Sequence, residues 1–374
     1  MKIPPFKLEE FWKIYEFKAP YILCGSDVES WTLKEILALA DEDCLQLWNS
    51  LNLGYTEVPG MPLLRKEIAS LYTNMGPDNI LTFAGAEEGI YCLMQALVNP
   101  GDHVIVIEPC YQSLSTLPEV AGGKLTKIKL NPEKKWKLNL DEIKKAFRPN
   151  TKLVVLNYPH NPTGSLLDQQ TFEGIIELAR KSNAYIFCDE VYRYLEINES
   201  DRLPSIADAY EKGISLNVMT KSFGLGGLRI GWIATQNQEL LEQLGSYKLY
   251  TSICNSGPSE ILALIALRAK EKILKRSREI TLSNFEILKS FMKRNEKKLS
   301  WIEPKAGPMA LIQLKLPVTI EKFVKDAVDQ AGILVMPADV YDLEGNYFRV
   351  GFGKKTMPAN LERFERFLNS YDAQ

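Results

Sequence analysis

The sequence predicts an α/β protein: a large domain on a mostly parallel sheet, then a smaller α+β domain toward the C-terminal end. Three observations carry this. Between residues 79 and 235, short apolar runs alternate with helix-patterned stretches, the order that builds a parallel sheet covered on both faces. The runs at 103–108 and 152–157 are rich in Val, Ile and Leu with little polar alternation, as strands buried on both sides require. Beyond residue 259 the alternation stops, and a long charged helical stretch leads into short strands and helices in mixed order.

The 374 residues suffice for both domains, and 45% apolar with 25% charged residues is an ordinary globular composition. A net charge of −2 weighs against nucleic acid as a partner. No apolar run reaches membrane-spanning length, and residues 1–5 lack a signal-peptide core, so no membrane partner and a cytoplasmic location are expected. Six scattered cysteines without CxxC pairs point to buried free thiols, and no metal site is expected. Only His103 and His160 are available to a Ser-His-Asp or multi-histidine metal site, which weakens both readings.

In chain order, residues 6–17 form an amphipathic helix with Leu8, Phe11, Trp12 and Tyr15 at helical spacing, Glu9 and Glu10 between them, and Pro20 beyond its end. Residues 21–31 read as extended, which would put Asp27 and Glu29 on one face, and Ser30 could cap a helix starting near Thr32. A loop at 51–60 precedes a helix at 62–75 opened by Pro62. Strands are expected at 79–84, 103–108, 124–130, 152–157, 184–188, 215–220 and 229–235, with helices from 85 to 98 and at 113–121, 140–147 and 168–182. The stretch 259–297 reads as one long helix, followed by strands at 310–314, 334–336 and 347–350 and helices at 319–331 and 358–371.

The chemistry centres on residues 217–229. An apolar strand ends at Thr220 and Lys221, then Ser222, glycines and Arg229 follow. Burial lowers a lysine pKa and frees the neutral amine as nucleophile or base. Two hydroxyls and a guanidinium suit a phosphate. An amine beside a phosphate clamp suggests pyridoxal 5′-phosphate (PLP), an aldehyde and a phosphate ester in one molecule. Other strand ends agree, since ligands of open α/β sheets bind there. Gly85, Ala86 and Glu87 follow the strand 79–84 at a helix start whose N–H groups suit a phosphate. Tyr111, Asn161, Asp189 and Tyr192 follow three further strands. Singly, Tyr111 could be core, Asn161 a turn residue and Asp189 a helix cap; together with Lys221 they point to one site.

On these residues the chain resembles a fold-type I PLP enzyme of the class I/II aminotransferase family, with an aspartate aminotransferase-like fold. The segments that carry the resemblance are Asn157-Tyr158-Pro159-His160-Asn161-Pro162-Thr163-Gly164, Asp189-Glu190-Val191-Tyr192, and Thr220-Lys221-Ser222-Phe223 through Gly227-Leu228-Arg229. The resemblance implies that Lys221 bonds the cofactor aldehyde and carries protons, and that Asp189 pairs with the pyridine nitrogen. It implies that Asn161 and Tyr192 bond the ring hydroxyl, Tyr111 stacks on the ring, and Ala86, Glu87, Thr220, Ser222 and Arg229 hold the phosphate with Gly85 at the turn. Arg349 would grip the substrate α-carboxylate, with Asn161 beside it. Tyr55 would reach the phosphate of a neighbouring subunit, implying a homodimer with shared sites. The implied domains are an N-terminal lid segment at 1–45 that packs with the small domain, a PLP-binding domain at 46–275 and a small domain at 276–374.

The reaction is less directly written. Where the common aminotransferase pattern has a Gly-x-Pro-Asp-Phe-like segment, this chain has Gly25-Ser26-Asp27-Val28-Glu29-Ser30-Trp31. The family fold would place it over the substrate, so Gly25, Asp27 and the helix acid Glu9 are expected at the substrate side chain, where a guanidinium would suit the carboxylates. An acidic N-terminal lid resembles the cyclases acting on arginine derivatives, capreomycidine synthase and the enduracididine-forming enzymes. The expected reaction is loss of the hydroxyl of γ-hydroxyarginine and closure of the guanidine onto that carbon. The alternative is ordinary transamination of an amino acid with a 2-oxo acid. A PLP-binding regulatory domain is disfavoured because every catalytic position is filled.

Overall fold

The computed structural model describes residues 3–371. Thirteen strands occur among them: β1 (Tyr21–Ile22), β2 (Ile80–Phe83), β3 (His103–Glu108), β4 (Lys124–Lys129), β5 (Thr151–Asn157), β6 (Tyr185–Asp189), β7 (Gly213–Val218), β8 (Gly231–Thr235), β9 (Leu299–Trp301), β10 (Met309–Leu314), β11 (Ile333–Leu334), β12 (Met336–Pro337) and β13 (Tyr347–Gly351). Seven of them form the large sheet in the order β2-β8-β7-β6-β5-β3-β4, parallel except for β8, which runs antiparallel to both neighbours. The α/β architecture expected from the sequence, a large domain on a mostly parallel sheet followed by a smaller one, is the architecture observed.

The strand runs lack polar alternation because both sheet faces are covered. Val104 and Val106 of β3 pack into one core with the helices Ala86–Leu97 and Gln238–Lys248, while Ile105 and Ile107 face a second core with the helix Gln169–Lys181. Successive side chains of a strand point to opposite faces, so every position must be apolar. Asn157 and Asp189 are direct partners in β5 and β6, which sets two polar side chains level at the carboxyl edge.

A four-stranded antiparallel sheet, β12-β13-β10-β9, forms the small domain. Its core is aromatic, with Phe323, Phe348, Phe364 and Phe367 packed together. The beginning of the chain joins this domain. β1 pairs in parallel with β11 (Tyr21 opposite Ile333), and the N-terminal helix Lys7–Tyr15 rests on Leu334, Met336, Val340 and Tyr341.

Several elements differ from expectation. The stretch at 259–297 is two helices, Gly257–Arg268 and Lys270–Arg294, which meet at Ala269. The first is buried on nearly every side among large-domain residues such as Leu64 and Trp232, whereas the second sends Phe285 and Leu288 into the small-domain core. One straight rod cannot serve both. Thr32 caps the helix Leu33–Leu37 in place of Ser30, because Thr32 and Glu35 satisfy each other's backbone N–H groups. Residues 21–31 are extended only at β1, and the helix at 62–75 ends at Ala69. The strand at 334–336 is split at Val335, where the chain leaves β1 and turns to β13. Arg229 lies before β8 in a left-handed conformation (φ 51°). The helix Gln238–Lys248 falls where no element was read. All six cysteines are free, five of them buried. Among the described residues no helix is long and apolar enough to cross a membrane.

Candidate active site

A cavity of about 1120 Å³ lies at the carboxyl ends of β5, β6 and β7, closed over by the N-terminal segment and the small domain. Gly25, Tyr111, Asn161, Asp189, Tyr192, Lys221 and Arg349 all line it, drawn from six separate segments.

At one end the helix Ala86–Leu97 begins at Gly85, whose φ of 91° favours glycine. A Cβ there would stand 2.3 Å from Nη2 of Arg229, so the guanidinium lies directly against the helix start. Helix N–H groups and a guanidinium converging on one spot would suit a phosphate, and this corner is the candidate phosphate cradle. Ala86, Glu87, Thr220 and Arg229 line the cavity beside it. Ser222 does not join them: its buried hydroxyl donates to the carbonyls of Val191 and Arg193 and is absent from the cavity wall, which corrects its expected phosphate role. Gly85→Ala is expected to weaken PLP binding roughly ten- to hundredfold, because the added methyl strains the turn and displaces Arg229. A titration of cofactor-free protein measures this.

In the cavity floor, Lys221 Nζ donates to Ser26 Oγ at 3.1 Å and stands 5.8 Å from the centre of the Tyr192 ring. Burial lowers its pKa and the Arg349 charge lowers it further, opposed by Asp27, Asp189 and Glu9. Burial pushes Asp189 up to about 7, despite the N–H of Val191 at 3.2 Å and the nearby Lys221 charge. A carboxylate so desolvated is set for a cationic partner. The histidines offer no competing base. His103 bonds the hydroxyls of Thr151 and Thr126, and His160 bonds Thr163 and is driven to about 3 by burial.

Arg349 of β13 is 1% exposed, and no carboxylate pairs with it among the described residues. Its Nε and Nη2 donate to the carbonyl of Cys24, and its Nη1 donates to Oδ1 of Asn161 at 3.2 Å and to the Tyr341 hydroxyl. A buried cation held by neutral groups is primed for an anionic ligand such as an α-carboxylate. Sequence reasoning missed Ser26, Tyr341 and the Cys24 carbonyl. No motif marks them, and only the packing of the N-terminal segment on the small domain brings them in.

The acids above the cavity divide. Asp27 pairs with Lys354 at 2.6 Å, and Glu29 accepts the N–H of Lys355 at 2.8 Å, so the small domain engages both rather than leaving them to face a substrate together. Glu9 accepts the Tyr111 hydroxyl at 3.3 Å. It shares the cavity-facing side of its helix with Trp12, and Glu16 caps that helix on the same side. Tyr111 packs its ring on Phe6, 5.0 Å between centres. Tyr55 is 90% exposed and lies outside this cavity.

A lysine amine, a buried carboxylate and a phosphate cradle along the carboxyl edge of one parallel sheet define a PLP-binding enzyme, and the donor set fits that cofactor. The chain belongs to the class I and II aminotransferase family, whose sequence profile matches residues 24–366. It is 28% identical over 327 residues to an aspartate aminotransferase of Pyrococcus horikoshii, covering 84% of this chain and 83% of that protein. It is 27% identical over 353 residues to capreomycidine synthase of Streptomyces vinaceus, covering 94% and 90%. Its fold superposes on a PLP-dependent aminotransferase from Streptococcus suis with a TM-score of 0.94 and 32% identity over the whole of both chains.

Bound here, PLP supplies an aldehyde that joins amines and a cationic ring that takes up the electron pair left when a proton leaves the α-carbon. Asp189 would offer the ring nitrogen a desolvated carboxylate, which favours its protonated form. The Lys221 amine, whose pKa burial lowers, would be the group placed to take and return the α-proton. Arg349, buried and held by neutral groups, would receive a substrate carboxylate.

Proposed function

We propose that the enzyme acts on a free amino acid with a guanidinium side chain, and that it cyclises γ-hydroxyarginine to an enduracididine-type product. The observation that supports this reading is the acidic roof. Glu9 and Glu16 flank Trp12 on the cavity side of the N-terminal helix, and both Glu9 and Asp27 act on the charge of Lys221. Carboxylates and an indole face suit a planar guanidinium, and such a roof opposes the second carboxylate of a dicarboxylic substrate. The likeness to capreomycidine synthase is in keeping with this chemistry. In the proposed reaction Lys221 takes the α-proton, a β-proton leaves, and the γ-hydroxyl departs as water. A guanidine nitrogen then bonds to Cγ and gives up its proton to a carboxylate of the roof such as Glu9, Cβ takes back a proton, and Lys221 returns a proton to the α-carbon. The balance is substrate minus one water, with the amino group retained. We further propose that Tyr55, exposed in one chain, serves the phosphate of a second copy in a homodimer.

Mass spectrometry of the holoenzyme in D2O, with arginine, β-hydroxyarginine or γ-hydroxyarginine, with and without 2-oxoglutarate, tests the reaction. Loss of water from γ-hydroxyarginine, with deuterium gained at carbon and no 2-oxo acid required, is expected. Conversion only with 2-oxoglutarate, with glutamate appearing, would establish the transamination to which the relatives' names point. Water loss from the β-hydroxy isomer alone would move ring closure to the six-membered product.

A further inference from the structure

Behind the phosphate cradle lies a partly buried polar network whose members do not line the cavity. Glu88, one residue beyond Glu87 on the cradle helix, is its hub. Its Oε2 accepts the N–H of Ala84 at 2.5 Å, and its Oε1 accepts the N–H of Ser252 at 3.0 Å and the hydroxyl of Thr251. Asn255 donates to the carbonyl of Phe83 at 3.3 Å, and Thr56 donates to the carbonyl of Asn255 at 2.8 Å. Lys248, 0% exposed, donates to the carbonyl of Val58 at 2.6 Å, while Glu260 accepts the N–H of Met61 at 3.2 Å. Glu88 and Glu260 both act on the Lys248 charge. Three separate segments, 83–88, 56–61 and 248–260, are thus tied together behind the turn that holds Gly85.

We propose that Glu88 is a positioning residue for the cofactor phosphate: it clamps the turn before the helix so that the helix start faces Arg229. Three features support this. The turn is held by Glu88 on one side and packed against Arg229 on the other, with no room for a Cβ between. Gly85 spends its own N–H on the carbonyl of Phe83 at 2.8 Å, so the peptide preceding it, Ala84, depends on Glu88 for its bond. Burial pushes the Glu88 carboxyl upward, but the bonds from Thr251, Ser252 and Ala84 outweigh it and hold the carboxyl below its ordinary value, as for a charged acceptor. A residue acting this way affects only what binds at the helix start. It is therefore expected to matter for a ligand with a phosphate and not for the same ligand without one.

The proposal rests on the cradle assignment, and the test separates the two. Cofactor-free wild type, E88Q and G85A are each titrated with PLP and with pyridoxal, which lacks the phosphate, following the visible absorbance that appears when the aldehyde bonds Lys221. E88Q keeps the shape of Glu88 but offers one acceptor oxygen for three donors. It is expected to raise the Kd for PLP about tenfold or more while changing that for pyridoxal less than about twofold, since a hydrogen bond to a charged group is worth about 1.5–3 kcal/mol. G85A is expected to show the same phosphate-selective loss. A selective loss in G85A but not in E88Q overturns the role of Glu88. No selective loss in either variant overturns the cradle assignment and the proposal with it. If E88Q does not fold, T251V removes one donor to Glu88 from an exposed position and carries the same comparison, with a smaller selective loss expected and an equal effect on both ligands overturning the proposal.

Discussion

Lys221→Ala is expected to lower turnover by on the order of 10³-fold or more, with protein stability little changed. Two losses combine. The variant has no amine to bond the cofactor aldehyde, and it has no base at the α-carbon, a loss that alone is worth about 10²–10⁴-fold. The position explains why no neighbour substitutes. Burial and the Arg349 charge lower the Lys221 pKa, while the histidines are held elsewhere and Asp27 is paired with Lys354. Borohydride reduction followed by peptide mass analysis reads the first loss directly: wild type gains the reduced cofactor on the peptide containing Lys221, and the variant gains none. Added small amines are expected to restore part of the activity by replacing the base. Turnover within tenfold of wild type would remove Lys221 from the chemistry and favour a binding domain without catalysis.

Asp189→Asn is expected to lower turnover by roughly 10²–10³-fold, the scale set by removing one preorganised electrostatic group, and to stabilise the cofactor-free protein at the same time. The second effect follows from linkage. Burial raises the folded pKa of Asp189 from 3.8 to about 7. Between those values the folded chain binds more protons than the unfolded chain, so this group's contribution to stability falls as pH rises through the window and is fully adverse above about 7. A shift of that size corresponds to roughly 4 kcal/mol at most. Cofactor-free Asp189→Asn should therefore melt above cofactor-free wild type at pH 8, with the difference closing toward pH 4. With PLP bound the order should reverse, because the cationic ring nitrogen supplies the partner that the carboxylate lacks. Thermal denaturation at pH 5 and pH 8, with and without PLP, measures all four cases. An Asp189→Asn protein that melts below wild type at pH 8 without cofactor would contradict the strained state of this carboxylate.

The parts of the site that were legible in the sequence lie at the ends of strands. Apolar runs that alternate with helices specify a parallel sheet, and such a sheet brings its carboxyl edge to one line. Asn161, Asp189, Tyr192 and Lys221 could be grouped on that ground, and all four meet in one cavity. Residues whose role depends on a partner hundreds of positions away were read less well. Asp27 and Glu29 looked like open carboxylates, but their partners are Lys354 and the N–H of Lys355. Ser222 looked like a phosphate ligand by its place beside Lys221, but its hydroxyl turns to the carbonyls of Val191 and Arg193.

By itself the sequence determined the sheet, the order of its strands along the chain, and the amine, carboxylate and phosphate-binding groups delivered to its edge. These follow from side-chain periodicity and from short segments whose conformation is set within a few residues. Only the tertiary structure decided how the site is closed. β1 pairs with β11, the N-terminal helix settles on Tyr341, and the carbonyl of Cys24 fixes Arg349 in the wall. Those contacts span more than 300 residues of chain, and no local pattern encodes them. They form because β11 leaves an edge to be paired and the apolar side of the N-terminal helix must be buried, two demands met only once both domains are in place.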